Sequence, residues 1–177
     1  MIEYELRKLD VDVAQLKEKL EKLDAEFLGL KKFRRHVFDV FPKKDNSWVR
    51  LRSDGKKTTL TVKEIVSDTV DGTHEWEVTV NDFDETLKIL EKMGLQSRGY
   101  QENNRHEYSI DGVDICIDEW PEIPAYVEFE GSDERSVLNT AKKLDFDESD
   151  LTGLNTKDIY LNYGIDLDNR PVLQFSN

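Results

Sequence analysis

The chain has 177 residues, with 38 aspartates and glutamates against 25 lysines and arginines, so its formal net charge is −13 at pH 7. This balance argues against broad binding to nucleic acid or to anionic membranes, which are themselves negatively charged. The only cysteine, Cys116, excludes an internal disulfide and fits a reducing compartment. Because the length suits one domain and no apolar run reaches the length of a membrane span, we expect a cytoplasmic protein.

The chain opens with a predicted strand that has one charged face. Side chains alternate across a strand, so residues 2–7 place Glu3, Glu5 and Arg7 together, opposite an apolar face. Two carboxylates and a guanidinium group on one strand suit a site for a metal ion and an anion.

A helix and a second strand are predicted next. Asp12 has the position of an N-cap, and apolar residues then recur at helical spacing to about Gly29. The basic run at 31–35 is interpreted as a solvated edge, although Arg35 could reach the mouth of a tunnel. The second strand is expected at about 35–41.

The middle of the chain repeats the pattern of one apolar and one charged face. Strands are predicted at 48–52, 58–63 and 75–80, and an Asp-Gly pair at 54–55 predicts a hairpin between the first two. Their charged faces carry Arg50, Arg52, Lys63, Glu75 and Glu77. A helix follows from a cap at Asp82 to Gly94.

The last part of the chain adds three strands and two helices. The strands, at 103–110, 113–118 and 126–130, carry Arg105, Asp118, Glu128 and Glu130 on their charged faces. Helices are expected from Ser132 and at about 156–163. We expect one domain at 1–165 and a loosely ordered C-terminal tail at 166–177, whose apolar residues could pack back on the domain.

The charged faces have two possible locations. Periodicity alone favours a solvated face of an open sheet, because antiparallel sheets commonly have one wet side. The alternative is a closed sheet with the charges inside, since an eight-stranded barrel holds side chains or one small ligand. Segregation of the charges favours the interior, because acidic pairs lie near the chain ends and the pair Arg50 and Arg52 lies in the middle. Arginine suits phosphate, and clustered carboxylates suit Mg²⁺ or Mn²⁺.

At this point the sequence resembles a known family. The stretch Glu3-Tyr4-Glu5-Leu6-Arg7 is similar to the N-terminal Glu-x-Glu-x-Lys motif of the CYTH domain, or triphosphate tunnel metalloenzyme, superfamily. That superfamily includes class IV adenylyl cyclases, thiamine triphosphatases and inorganic triphosphatases. The resemblance continues in order through Arg50-Leu51-Arg52, Lys63, Glu75-Trp76-Glu77, Arg105 and the stretch from Asp118 to Glu130.

The resemblance implies a fold and a set of roles. The fold is α+β, a closed or nearly closed eight-stranded antiparallel β-barrel with helices packed outside. The implied metal ligands, for Mg²⁺ or Mn²⁺, are Glu3, Glu5, Asp118, Glu128 and Glu130. The implied substrate-binding residues are Arg7, Arg50, Arg52, Lys63, Glu75, Glu77 and Arg105. Those implied in catalysis are Glu3, Glu5, Arg7, Lys63 and Arg105.

Two positions depart from the family pattern. Arg7 stands where the family usually has lysine, and Asn103 stands where the family often has the lysine of a Lys-x-Arg pair. Because lysine and arginine bind phosphate with different geometry, these changes bear on affinity and substrate choice.

The resemblance implies a small-molecule triphosphate as the substrate. The first functional hypothesis is a divalent-metal-dependent phosphohydrolase that acts on an inorganic or organic triphosphate, such as thiamine triphosphate or a nucleotide. The second is a class IV-type adenylyl cyclase that makes cyclic AMP from ATP. The third is a non-catalytic binding module for polyphosphate or a nucleotide.

Overall fold

The computed structural model describes residues 4–65 and 73–176. Four α-helices are present in these ranges, α1 (Val13–Lys22), α2 (Phe83–Lys92), α3 (Glu134–Lys143) and α4 (Thr156–Asn162). The strands are β1 (Tyr4–Lys8), β2 (Glu26–Asp39), β3 (Ser47–Ser53), β4 (Thr58–Ile65), β5 (Thr73–Val80), β6 (Ser97–Ile110), β7 (Val113–Glu119), β8 (Tyr126–Gly131) and β9 (Val172–Leu173).

The first helix is shorter than the sequence predicts. It ends at Lys22, and the apolar residue Phe27 belongs to β2 instead. The reason is local, because Asp24 adopts a left-handed φ of 53° and the N–H of Ala25 donates to Leu20 O. β2 therefore begins about nine residues earlier than expected, and Phe27 packs on Tyr108 of β6 at a ring distance of 4.9 Å.

Eight strands form one antiparallel sheet in the order β1-β8-β7-β6-β2-β3-β4-β5, and β9 adds to β6 in parallel. The sheet must be curled, because the ammonium group of Lys63 on β4 acts electrostatically on Glu128 of β8. In a flat sheet these strands, five steps apart in the order, would be roughly 24 Å apart. The charged faces therefore line the concave inner face of the sheet.

The closed barrel implied by the resemblance is not confirmed. β1 and β5 lie at opposite ends of the strand order, and no pairing joins them within residues 4–65 and 73–176. The free edge of β1 is instead occupied at Arg7, which exchanges two backbone hydrogen bonds of 2.8 Å with Thr152. The fold is thus a curled half-barrel.

Three apolar clusters cover the sheet. Helices α1 and α3 bury the outer faces of β7 and β8, and α2 buries the outer faces of β2 and β3. The third cluster lies at one end of the inner face, where α4 contributes Ile159 and Tyr160 against Trp120 and Tyr126. No helix in the described part of the chain is long and apolar enough to cross a membrane.

The segment after Asp166 is more ordered than the sequence suggests. It forms a short turn at Leu167–Asn169 and then β9, whose Leu173 is fully buried in the third cluster. β9 uses the edge of β6 at Tyr100 and Gln101, beyond the residues that pair with β7. The tail therefore packs back through its apolar side chains.

Candidate functional site

The inner face collects the charged residues that the sequence singles out. By strand phase and register, these are Glu5, Arg7, Arg50, Arg52, Lys63, Glu75, Glu77, Arg105, Asp118, Glu128 and Glu130. Glu3, which belongs to the same predicted set, lies outside the described residues. The face divides into an acidic half on β1, β7 and β8 and a basic half on β2 and β3.

In the acidic half, Arg7 lies between two carboxylates. Its Nε donates to Glu128 Oε2 at 2.9 Å, and its Nη2 forms an ion pair with Glu5. The remaining nitrogen, Nη1, donates to Leu154 O at 2.8 Å. The segment that bridges the edge of β1 therefore also helps to position the Arg7 side chain.

Arg105 has a similar position between Asp118 and Glu128. Its Nε and Nη2 donate to the two oxygens of Asp118 at 3.0 and 2.6 Å, and Nη2 also contacts Glu128 Oε1 at 3.0 Å. Although burial opposes the charged form, these two carboxylates raise the pKa of Arg105 well above its usual value.

Burial and the two arginines act in opposite senses on the carboxylates. Burial raises the pKa of Asp118, which is fully enclosed. Burial alone would also raise the pKa of Glu128, but Arg105 and Arg7 outweigh it and hold that pKa below its usual range. Glu128 therefore keeps its negative charge more firmly than Asp118 does.

The oxygen donors of the acidic half suit a hard divalent cation. Glu5 lies directly opposite Glu130 in the β1–β8 register, and Glu130 lies opposite Asp114 of β7. Like charges in register repel, and a cation between them relieves the repulsion. Within residues 4–65 and 73–176, no group of three His, Cys, Asp or Glu side chains has an arrangement that could hold a metal ion. Arg7 and Arg105 already lie between the carboxylates.

The basic half has an excess of positive charge. In the part of the chain that the structure describes, Arg50 has one acidic partner, which is distant, since its Nη2 lies 3.9 Å from Glu77 Oε2. The guanidinium carbon of Arg52 lies over Phe33, 4.5 Å from the ring centre. Burial, together with the neighbouring Arg52, lowers the pKa of Arg50 to about 9. Burial and Arg105 also lower the pKa of Arg52.

β4 and β5 form the flank of the basic half. Lys63 forms an ion pair with Glu75, and Thr61 donates a hydrogen bond of 2.8 Å to Glu77. Burial would raise the pKa of Glu77, but the bond from Thr61 and the nearby arginines lower it. Glu75 is thus paired with Lys63, and Glu77 lies 3.9 Å from Arg50 Nη2.

Arg35 belongs to this site and was not among the predicted site residues. The basic run at 31–35 was expected to be solvated, but Arg35 is only 8% exposed and lies on the inner face directly opposite Arg52. Its neighbour Arg34 points outward and is paired with Asp84. Strand phase could have found Arg35, because Phe33, Arg35 and Val37 alternate with the outward-facing Arg34, His36 and Phe38.

The basic half contains buried donors without an acceptor. Within residues 4–65 and 73–176, four buried donors have no hydrogen-bond partner: Arg35 Nε on β2, Arg50 Nε on β3, and, beside this half, Thr59 Oγ1 on β4 and Trp120 Nε1 just after β7. Buried polar groups are nearly always paired, so their concentration here indicates a site for an acceptor-rich ligand. Phosphate oxygens satisfy such donors.

Cys116 also faces the interior, as its strand phase predicts. It is buried and lies opposite Glu128 and Glu107 in register. Burial raises the pKa of the Cys116 thiol far above its usual value, so it is not a nucleophile.

Comparison with known proteins agrees with this architecture. The CYTH domain model matches residues 1–159. A protein of Pyrococcus horikoshii OT3 superposes with a TM-score of 0.77 at 20% identity, over 87% of this chain and 96% of that chain. A protein of Vibrio parahaemolyticus put forward as an adenylate cyclase gives 0.76 at 15% identity, over 91% and 98%.

A third solved structure has the same fold. An adenylyl cyclase candidate from Hippeastrum, described as having a dominant triphosphatase activity, gives a TM-score of 0.61 at 15% identity over 94% of this chain and 98% of that chain. No curated relative matches the chain. At these identities the likenesses show the fold alone.

Proposed function

Because the chain belongs to the CYTH domain family, we propose that it is a divalent-metal-dependent phosphohydrolase that acts on a triphosphate bound at the inner face. The group of buried donors without acceptors in the basic half is the observation that carries this proposal. A triphosphate supplies many acceptor oxygens and several negative charges, which is what these donors need.

The basic side chains would bind and neutralise the phosphates. Among the described residues, no carboxylate oxygen comes closer to Arg50 or Arg52 than the 3.9 Å between Arg50 Nη2 and Glu77 Oε2, so these two guanidinium groups are the first anchors for phosphate oxygens. Arg7, Lys63 and Arg105 are held by carboxylates and stand ready to stabilise the charge that develops in the transition state.

The oxygen donors of the acidic half would hold the cation. These are Glu5, Asp118, Glu128 and Glu130, together with Glu3. CYTH triphosphate enzymes generally depend on divalent cations, and Mg²⁺ or Mn²⁺ fits an all-oxygen set. When bound, the cation polarises phosphate oxygens and neutralises their charge. Arg7 and Arg105 would then turn from these carboxylates to the phosphates.

Hydrolysis accounts for the geometry better than cyclisation does. A water would attack the terminal phosphorus and break its bond to the bridging oxygen, which stays with the diphosphate leaving group. The water oxygen ends in the released orthophosphate, and a proton passes to a product or to solvent. Cyclisation of ATP requires a pocket for adenine as well. The obvious aromatic candidate, Trp120, is covered by Arg35 at 4.6 Å on its face and by Tyr160 at its side.

The test is to incubate purified protein with Mg²⁺ or Mn²⁺ and tripolyphosphate, thiamine triphosphate or ATP, and to measure orthophosphate and cyclic AMP. We expect orthophosphate, and in ¹⁸O-labelled water the label should appear in it, because water attacks the terminal phosphorus. The variant Arg52→Gln should lose activity. Arg34→Gln, which changes a neighbouring outward-facing arginine, should retain it.

The other outcomes identify the competing functions. Cyclic AMP without orthophosphate release would identify a cyclase. Tight binding of tripolyphosphate without turnover, with either metal, would identify a binding module. Activity that survives Arg52→Gln unchanged would refute the assignment of the site to the inner face.

A further inference from the structure

We propose that Arg35 is a phosphate-binding residue of this site, which binds an oxygen of the triphosphate through its free Nε. The inference rests on the proposed function and adds a guanidinium group from β2 to those of β3. Nothing in the family motifs points to this position, because Arg35 lies outside every stretch that carries the resemblance.

The first argument is the absence of a counter-ion. Arg35 is buried and directly opposite Arg52 in the β2–β3 register, so two like charges face each other across neighbouring strands. Among the described residues, no carboxylate lies within ion-pair distance of the Arg35 guanidinium group. Its one hydrogen-bond acceptor in the described ranges is the neutral side-chain oxygen of Asn103. A buried cation in this position is incomplete without an anion.

The second argument is the orientation of Arg35. Its Nη2 is fixed by Asn103, and its guanidinium plane stacks on Trp120 at 4.6 Å from the ring centre. After these contacts, Arg35 Nε has no hydrogen-bond partner among the described residues, and the same is true of Trp120 Nε1. The side chain is thus held in place with one donor available to a ligand. Burial and the charges of Arg50 and Arg52 also lower its pKa, which an anion would reverse.

The third argument concerns Asn103, which takes the place of the family's lysine. Its amide nitrogen donates to Asp118 at 2.8 Å while its oxygen accepts from Arg35. A lysine here could donate to Asp118 but could not accept from Arg35. Compared with the family pattern, this chain therefore has a cation at residue 35 on β2 in place of one at residue 103 on β6. The Asn103 amide holds the Arg35 side chain in position.

The surroundings of Trp120 define which part of the ligand Arg35 meets. Trp120 is itself 5% exposed, and it also packs against the buried ring of Tyr160, with the ring centres 6.1 Å apart and the ring planes at 82°. Both of these contacts of Trp120 are with protein side chains. The group that Arg35 offers to a ligand is therefore its Nε donor, which suits a phosphate oxygen.

The experiment measures binding of inorganic tripolyphosphate by calorimetry in EDTA, without any need for turnover. For Arg35→Gln we expect affinity to fall by about 10- to 100-fold, the usual effect of losing a hydrogen bond between charged groups. The matched control Arg34→Gln should bind like the unaltered protein. The double variant Arg35→Gln with Asn103→Lys should recover part of the loss, because a cation returns to the same place from β6.

A thermal-unfolding measurement separates binding from a structural role. Without ligand, Arg35→Gln should unfold at the same temperature as the unaltered protein or higher, because it removes a repelled cation. The stabilisation by tripolyphosphate should shrink. A ligand-free protein that is clearly less stable but binds normally would show that Arg35 is structural.

The remaining outcomes keep the two proposals apart. Normal binding by Arg35→Gln together with weak binding by Arg52→Gln overturns the role of Arg35 and leaves the proposed function standing. Normal binding by both variants overturns the proposed function as well. Should Arg35→Gln not fold, Arg35→Lys keeps the charge but loses Nε, and unaltered affinity in that variant would overturn the role assigned to Nε.

Discussion

The substitution Glu128→Gln tests the electrostatics of the inner face most directly. Glu128 is 5% exposed, and its two oxygens accept from Arg7 Nε at 2.9 Å and from Arg105 Nη2 at 3.0 Å. Glutamine keeps the shape and one acceptor oxygen but removes the charge. Arg7 would retain Glu5 and Arg105 would retain Asp118, so the change leaves the site short of one negative charge.

The expected cost follows from the pKa of Glu128. Although burial opposes ionisation, Arg105 and Arg7 lower this pKa from 4.5 to about 2. The difference corresponds to about 3 kcal/mol of stability at neutral pH, which agrees with the cost of breaking a buried ion pair. For a protein of this size, that lowers the melting temperature by roughly 6–12 °C.

The assay is urea or thermal unfolding of both proteins between pH 7 and pH 3, with Glu18→Gln on the exposed side of α1 as the control. A carboxylate with a depressed folded-state pKa stabilises fully above its unfolded pKa of 4.5 and loses this effect as the pH falls through about 2. The gap between the two proteins should therefore narrow below pH 4.5. A variant as stable as Glu18→Gln at pH 7 would refute the reasoning.

Three further predictions concern other parts of the fold. Burial lowers the pKa of His36, so the unfolded chain takes up the proton first and stability should fall from pH 7 to pH 5. His36→Gln should flatten this slope in unfolding curves. Leu173→Ala removes a fully buried side chain of the tail and should cost about 2–5 kcal/mol in urea unfolding. Tyr160→Phe loses the 2.7 Å hydrogen bond to Pro121 O and should cost about 1 kcal/mol by the same measurement.

Strand phase predicted the inner face well because alternation is a local property. Arg50, Arg52 and Lys63 share that face on β3 and β4, and the hairpin at Asp54–Gly55 fixes how these strands pair. The same logic was not applied to Arg35, because this first residue of the predicted strand was grouped with the basic run at 31–35 as a solvated edge. Phe27 continued the helical spacing of α1, so the start of β2 was assigned to a helix, although Asp24 ends the helix by adopting a left-handed conformation.

Contacts between strands that are distant along the chain could not be predicted from the sequence. The pairing of Arg7 with Glu128 depends on the register of β1 with β8, which joins residues 121 positions apart. The motif grouped Glu5, Arg7 and Glu128 in one site but could not indicate that the arginine lies between the carboxylates. The sequence also could not predict that the sheet stays open, because no pattern at Thr152 indicates that this residue occupies the edge of β1.

The bridge between β1 and Thr152 has a consequence for how the chain folds. β1 is bonded on one edge to β8 and on the other to a segment that contacts it across 147 residues, so neither partner is near it in sequence. Such distant pairing folds slowly, because a long loop must close before its contacts form. During synthesis β1 stays unpaired until β8 and Thr152 have been made. In that interval its exposed edge is a site at which two nascent chains can associate. Folding assays that detect β1 should therefore report its protection among the last events.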